Sequence, residues 1–184
     1  MNHSTENVSL WAAFILDILR EADNLQSSTD TQPLKDMVSS HNLSNPFEML
    51  PMQLYNEMCA WAETNLGEEA IIKMGFAIGE TVYPNLIENG IIDEDSAPLD
   101  VIEGLIIAAE SMIEDPEGRG WEILADTSVS LHMKRTQTFN SKLQFGLLEG
   151  LIQKAKVSKV KVSYLKEVSE GDEFDEYFVA WENQ

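Results

Sequence analysis

Residues Phe145 to Trp181 read FGLLEGLIQKAKVSKVKVSYLKEVSEGDEFDEYFVAW. The opening has helical spacing: Leu143, Leu147 and Leu151 share a ridge, with Gly146 and Gly150 beside it. This predicts a helix over Leu143 to Lys154. From Lys159 to Glu167 the period changes to two, with Val160, Val162 and Tyr164 alternating against lysines and Ser163, which predicts a strand. The acidic turn SEGDE leads to a last strand, Phe174 to Trp181.

Working back from that segment, WEILAD (121 to 126) and SVSLHMKR (128 to 135) read as a hairpin, after a DPEGRG turn at 115 to 120. Two hairpins with one helix between them predict a four-stranded antiparallel sheet. The preceding two-thirds is helical. Helices are predicted over 8 to 22, with Leu10, Phe14 and Ile18 on one ridge, over 34 to 40, and over Met52 to Leu66, ended by Gly67. Another runs from Glu68 to Val82, opening on two acids that suit the helix dipole. The last runs from Ala97 to Ile113, with Ser96 as its cap and Pro98 in its first turn. Polar stretches at 27 to 33, 42 to 51 and 87 to 98 are connectors. Gly75 and Gly79 share a face of the fourth helix. Glycine there costs about 1 kcal/mol per position against alanine, so another backbone or a flat ligand approaches closely, helix packing being the preferred explanation. The fold class is α/β (α+β): a helical part, then an antiparallel sheet.

The chain has 184 residues, enough for a single domain with a real core. Its 32 acids against 12 bases give a formal charge of −20, which repels nucleic-acid phosphates and anionic membranes. No nucleic acid or membrane partner is expected. Residues 134 to 166 hold eight of the bases (Lys134, Arg135, Lys142, Lys154, Lys156, Lys159, Lys161, Lys166) and one acid, Glu149, a local charge of +7 that leaves −27 for the rest. That segment is a solvated face, or a docking surface for an acidic partner or for another copy of this chain as a homo-oligomer.

Cys59 is the one cysteine, and lies in an apolar helical pattern. It reads as buried and inert, which suits a reducing cytosol, so the expected location is cytoplasmic. The N-terminal run lacks a basic segment and is broken by Asp17, so it reads as no signal peptide, and the Asn-x-Ser sequons at Asn2, Asn7 and Asn42 as chance. No apolar run reaches the ~18 residues of a transmembrane helix. There is no phosphate-binding glycine loop, no H-E-x-x-H and no G-x-S-x-G, and IIDEDS lacks the glycine and distal glutamate of a calcium loop. The three histidines, His3, His41 and His132, are far apart in sequence. No enzyme signature and no metal site emerges.

The C-terminal pattern resembles the H-NOX domains, the haem nitric-oxide/oxygen binding family. The resemblance rests on Gly146, Leu147, Leu148, Glu149, Gly150 and Leu151, then on Gly171 to Phe174 and on Asp175 to Val179. LGEEAIIKMGFAIGETV (66 to 82) is similar to that family's Leu-Gly turn and following helix. Coverage is good from about residue 52 onward and weakest over the first fifty. The pattern also resembles the wider group of vinyl-reductase-like ligand-sensing domains. The resemblance implies one H-NOX-like domain over 1–184, with 1–66 as its helical N-terminal part and 67–184 as helices plus sheet.

Two departures stand out. Haem-binding members carry an axial histidine on the helix before the strands; the helix Ala97 to Ile113 has none, and Ala109 falls near that place. They also carry Tyr-x-Ser-x-Arg, holding the haem propionates. One register sets Met133, Arg135 and Gln137 there, the next Lys134, Thr136 and Thr138, and neither satisfies it. The cysteines of the vinyl-reductase relatives are missing too. Haem iron needs a strong axial donor, and propionates need cationic or hydrogen-bonding clamps.

The expected function is therefore a non-catalytic H-NOX-like sensor module that has lost the haem site, takes no cofactor, and keeps an apolar ligand pocket lined by Phe76, Gly79, Leu105, Ala109, Met112 and Met133. By resemblance its partner would be a histidine kinase or a cyclic-nucleotide or cyclic-dinucleotide enzyme. Two alternatives stay open: a haem-based gas sensor ligated by His132 or His41, and a ligand-free interaction module. Alternation along the strand puts His132 opposite Leu131 and Met133, at the surface.

Overall fold

The computed structural model describes residues 3–25 and 29–183. The Asn2 sequon and the first two residues of the 27–33 connector lie outside them. The chain opens with strand β1 (Ser9–Trp11) and helix α1 (Ala12–Asn24), then helix α2 (Gln32–Met37), strand β2 (Met49–Pro51) and helix α3 (Met52–Leu66). Helices α4 (Glu68–Glu88) and α5 (Pro98–Met112) follow, then strand β3 (Ile113–Glu114). The C-terminal part is β4 (Trp121–Thr127), β5 (Ser130–Arg135), α6 (Ser141–Gln153), β6 (Val157–Lys166) and β7 (Asp175–Asn183).

The larger sheet is antiparallel, four-stranded, and ordered β4-β5-β7-β6, with α6 between its hairpins as the alternation predicts. The predicted helix over 8 to 22 is corrected at its start. Residues 9–11 form a strand that pairs Leu10 with both Leu50 and Ile113, making a small antiparallel sheet β2-β1-β3. Helical spacing could not reveal this, because Leu10 fits the ridge of Phe14 and Ile18 equally well whether residue 10 is helical or is the one buried residue of a short central strand. The helix predicted over 68 to 82 continues through Pro84 to Glu88. Burial of Tyr83 and Leu86 holds that last stretch in the core despite the proline. The short helix predicted over 34 to 40 instead begins at Gln32 and ends at Met37. Ser96 does not cap α5: its hydroxyl accepts from the Asp93 N–H, and Asp100 accepts from the Ala97 N–H at 3.0 Å.

The glycines of α4 and α6 explain how the two halves join. A Cβ on Gly75 would meet the Leu143 carbonyl oxygen at 2.0 Å, and one on Gly79 would meet that of Leu147 at 2.3 Å. The same holds in reverse for Gly146 against Ile72 (2.0 Å) and Gly150 against Phe76 (2.1 Å). The two helices thus cross main chain to main chain, at a distance only glycine allows. The close-packing explanation of Gly75 and Gly79 holds, and the glycine pair of α6 is its other half.

The basic stretch over 134 to 166 is neutralised by the chain's own acids. Lys134 pairs with Glu122, Lys142 with Glu68 and Glu167, Lys154 with Glu80, Lys156 with Asp95, Lys159 with Glu182, and Lys166 with Glu176. Among the described residues two of the eight bases have no counter-ion within salt-bridge distance: Lys161, and Arg135, which is buried. This favours the solvated-face reading. Among the described residues no helix is long and apolar enough to cross a membrane.

Candidate functional site: an apolar cavity with a buried cation

A cavity of about 510 Å³ lies between α1, α4, α5, α6 and the near ends of β4 and β5. That volume falls in the range of pockets for drug-sized ligands. Its α5 wall is Leu105, Ala108, Ala109, Ser111 and Met112; α4 contributes Ile78, Val82 and Leu86, and α6 contributes Gln144 and Leu147. Phe14 of α1, Tyr55 of α3 and Phe139 complete an aromatic corner, with Tyr55 and Phe139 ring centroids 5.2 Å apart.

Leu105, Ala109 and Met112, expected here from the broad apolar face of α5, do line the cavity. The other three candidates do not. Gly79 is spent on the crossing with α6, and Phe76 faces Gly150 there with its backbone. Met133 is fully buried beneath the sheet, in register with Ile123 and Tyr177. His132 points to the outer face of β5, where its Nε2 sits 2.8 Å from a Glu176 carboxylate oxygen, and Glu176 also accepts from Lys166 at 2.7 Å. His41 lies in the turn after α2. Neither histidine lines the cavity.

Two charged side chains do. Asp17, half-buried on α1, is ion-paired with Arg20 at 2.8 Å; burial pushes its carboxyl above the ordinary range against the pull of that arginine. Arg135, the last residue of β5, is only 5% exposed. Its guanidinium lies between two rings, 4.5 Å from the Trp121 centroid and 3.9 Å from that of Phe139. Its Nη1 donates to Gln144 Oε1 at 3.3 Å and its Nη2 to Gln137 Oε1 at 3.4 Å, both long for such bonds. Its Nε has no partner. Burial lowers its pKa to about 10, so it stays protonated at neutral pH. Asp175, directly across the β5–β7 ladder, turns Oδ1 to the Val168 N–H at 3.0 Å and forms no ion pair with it. Burial also raises the Asp175 carboxyl pKa. Both groups line a second cavity of about 100 Å³.

Sequence reasoning counted Arg135 among the surface bases. The signal was available: β5 buries every second residue, Leu131, Met133 and Arg135, and the same alternation that sends His132 out sends Arg135 in.

The donor set does not suit haem. The cavity wall offers no histidine and no thiol; the candidate iron donors are Tyr55 and Met112. Burial, then the neighbouring Cys59, drives the Tyr55 pKa well above its ordinary value, so its phenol is protonated in the metal-free cavity. Cys59 is itself buried, and burial pushes its thiol up to about 12. Among the described residues no group of three or more His, Cys, Asp or Glu is placed to hold a metal ion.

No protein-family model and no curated protein sequence matches the chain. Solved structures do. An H-NOX protein from S. oneidensis in the Fe(II)NO ligation state is similar over 93% of this chain and 99% of its own, at 10% identity and a TM-score of 0.66. A Cs H-NOX mutant is similar over 95% and 97%, at 11% identity and a TM-score of 0.64. The unliganded Fe(II) H-NOX protein from K. algicida is similar over 95% and 98%, at 12% identity and a TM-score of 0.56. The chain therefore has the H-NOX fold, as its C-terminal pattern implies. At these identities the likeness extends to the fold alone.

Proposed function

We propose that this chain is a haem-free sensor module on the H-NOX fold, non-catalytic, which takes an apolar ligand in its cavity and passes the change to a protein partner. The observation that carries this is the cavity itself: it retains ligand-sized space, yet its wall presents Ala109 near the place where the resemblance sets an axial histidine, and no imidazole or thiolate elsewhere. By the same resemblance the partner is a histidine kinase or a cyclic-nucleotide or cyclic-dinucleotide enzyme. A cytoplasmic location suits the single buried thiol. Occupancy shifts the balance of two conformers only as far as the ligand prefers one of them.

The test is spectroscopic. The purified protein is offered haem and its visible spectrum recorded, and solvent extracts of untreated protein are examined by mass spectrometry. The expected result is no sharp Soret band and a co-purified apolar compound. A stoichiometric, nitric-oxide-responsive band would overturn the reading, and its loss in His132→Ala or His41→Ala would identify the iron ligand.

A further inference from the structure

Charges buried in proteins are paired, because an isolated one loses its hydration without replacement. Arg135 breaks that rule. Of its five donors, two reach neutral amide oxygens at 3.3 and 3.4 Å, and Nε reaches nothing. No carboxylate pairs with it among the described residues: Asp175 is committed to Val168, and Asp17 to Arg20. The Arg119–Asp115 pair nearby is the instructive contrast, for there an equally buried guanidinium has its carboxylate at 2.7 Å. The group that would complete Arg135 is an anion, and the cavity it lines is mostly apolar, with neutral polar groups such as Thr81, Asn85 and Ser111 and its one acid already compensated.

We propose that the cavity binds an amphipathic monocarboxylate of the fatty-acid class, its carboxylate paired with the Arg135 guanidinium beside Gln144 and its tail along the α4, α5 and α6 walls. The inference rests on the ligand-binding reading of the cavity and adds the chemistry of the ligand. A carboxylate matches the planar fork of a guanidinium and satisfies it bidentately. An aliphatic tail fits because Trp121 and Phe139, the rings nearest the head, are occupied by Arg135 itself, whereas Ile78, Val82, Leu105, Ala109 and Leu147 offer methyl and methylene groups. The arginine is not the one the H-NOX motif supplies: in one register it stands at the serine place of Tyr-x-Ser-x-Arg, and in the other the motif falls on its neighbours.

Titration calorimetry with laurate and with 1-dodecanol, equal in tail and different in head, separates the possibilities. Laurate is expected to bind the unaltered protein about tenfold or more tightly than the alcohol. Arg135→Met is expected to erase that gap while leaving the affinity for dodecanol within about twofold, and Arg135→Lys to keep part of it. The acid–alcohol comparison needs no variant, so it stands even if Arg135→Met fails to fold. Equal binding of acid and alcohol, or a gap that survives Arg135→Met, overturns the role of Arg135 and leaves the apolar cavity intact. If neither probe binds, both readings fall.

Discussion

Asp115 draws three distant pieces of chain together. Its Oδ2 accepts from Arg119 Nε at 2.7 Å and from Gln137 Nε2 at 3.1 Å, and its Oδ1 accepts from the Glu117 N–H at 2.9 Å. Arg119 in turn donates to the Ser4 carbonyl at 2.9 Å. Burial alone would raise the Asp115 pKa, but the hydrogen bonds from Arg119 and the Glu117 N–H outweigh it and hold the carboxyl below its ordinary value of 3.8. The stabilisation is therefore fully present above the unfolded pKa and is lost as pH falls through the lower, folded one. Asp115→Asn removes the carboxylate charge that compensates the buried Arg119 guanidinium and is expected to cost about 3 kcal/mol at neutral pH. Denaturant unfolding of the two proteins should show that difference shrinking below about pH 4; a pH-independent difference would mean the carboxylate charge is irrelevant. At this scale the sequence was least informative. DPEGRG reads as a turn and nothing more, because its partners lie at Ser4 and Gln137, and no local pattern joins residues so far apart.

Among the elements, the crossing of α4 and α6 is the most exposed to a single change. Gly146→Ala places a methyl 2.0 Å from the Ile72 carbonyl oxygen, a backbone atom that cannot rotate away. The helices must separate, at an expected cost of about 3 kcal/mol or more. Gly120→Ala, where a Cβ would meet nothing within 4 Å, is the control and should stay within about 0.5 kcal/mol of the parent. Thermal melts of the pair decide whether the contact or the mere presence of glycine matters. Most elements were legible: Met52 to Leu66 matches α3 residue for residue, and the strand alternation gave the whole β4–β7 sheet. Where reading failed, tertiary contacts had overruled a local signal. Pro84 marks a stop that buried Tyr83 and Leu86 carry the helix past, and Leu10 has helical spacing to Phe14 yet pairs with two strands.

Taken whole, the molecule carries −20 with its bases largely used as internal counter-ions. Exposed pairs of this sort contribute about 0–1 kcal/mol each, whereas the surplus acids repel one another across the surface. Raising sodium chloride from about 20 to about 200 mM is expected to raise the melting temperature, because screening relieves repulsion more than it weakens the pairs. A fall would mean the lysine pairs dominate. The cavity was legible in part and for a physical reason. Leu105, Ala109 and Met112 line the cavity, as the breadth of the apolar face of α5 suggests, because that face is too broad to be satisfied by one neighbour. Gly79 and Phe76 lie at the α4–α6 crossing instead, and sequence does not separate the two places, since a helix touching both a partner helix and a void shows the same apolar surface to each.

Two helices whose main chains touch can neither slide nor tilt without opening a gap, so α4 and α6 behave as one stiff plank, with the sheet fastened to its edge. α5 has no such fastening along its whole length. Its buried anchors end at Leu105, and the stretch from Ile106 to Met112 leans over the chamber with one flank in water. Whatever fills or leaves that chamber therefore meets its most yielding boundary in the last two turns of α5, the segment that runs straight into β3 and so tugs on the N-terminal strand.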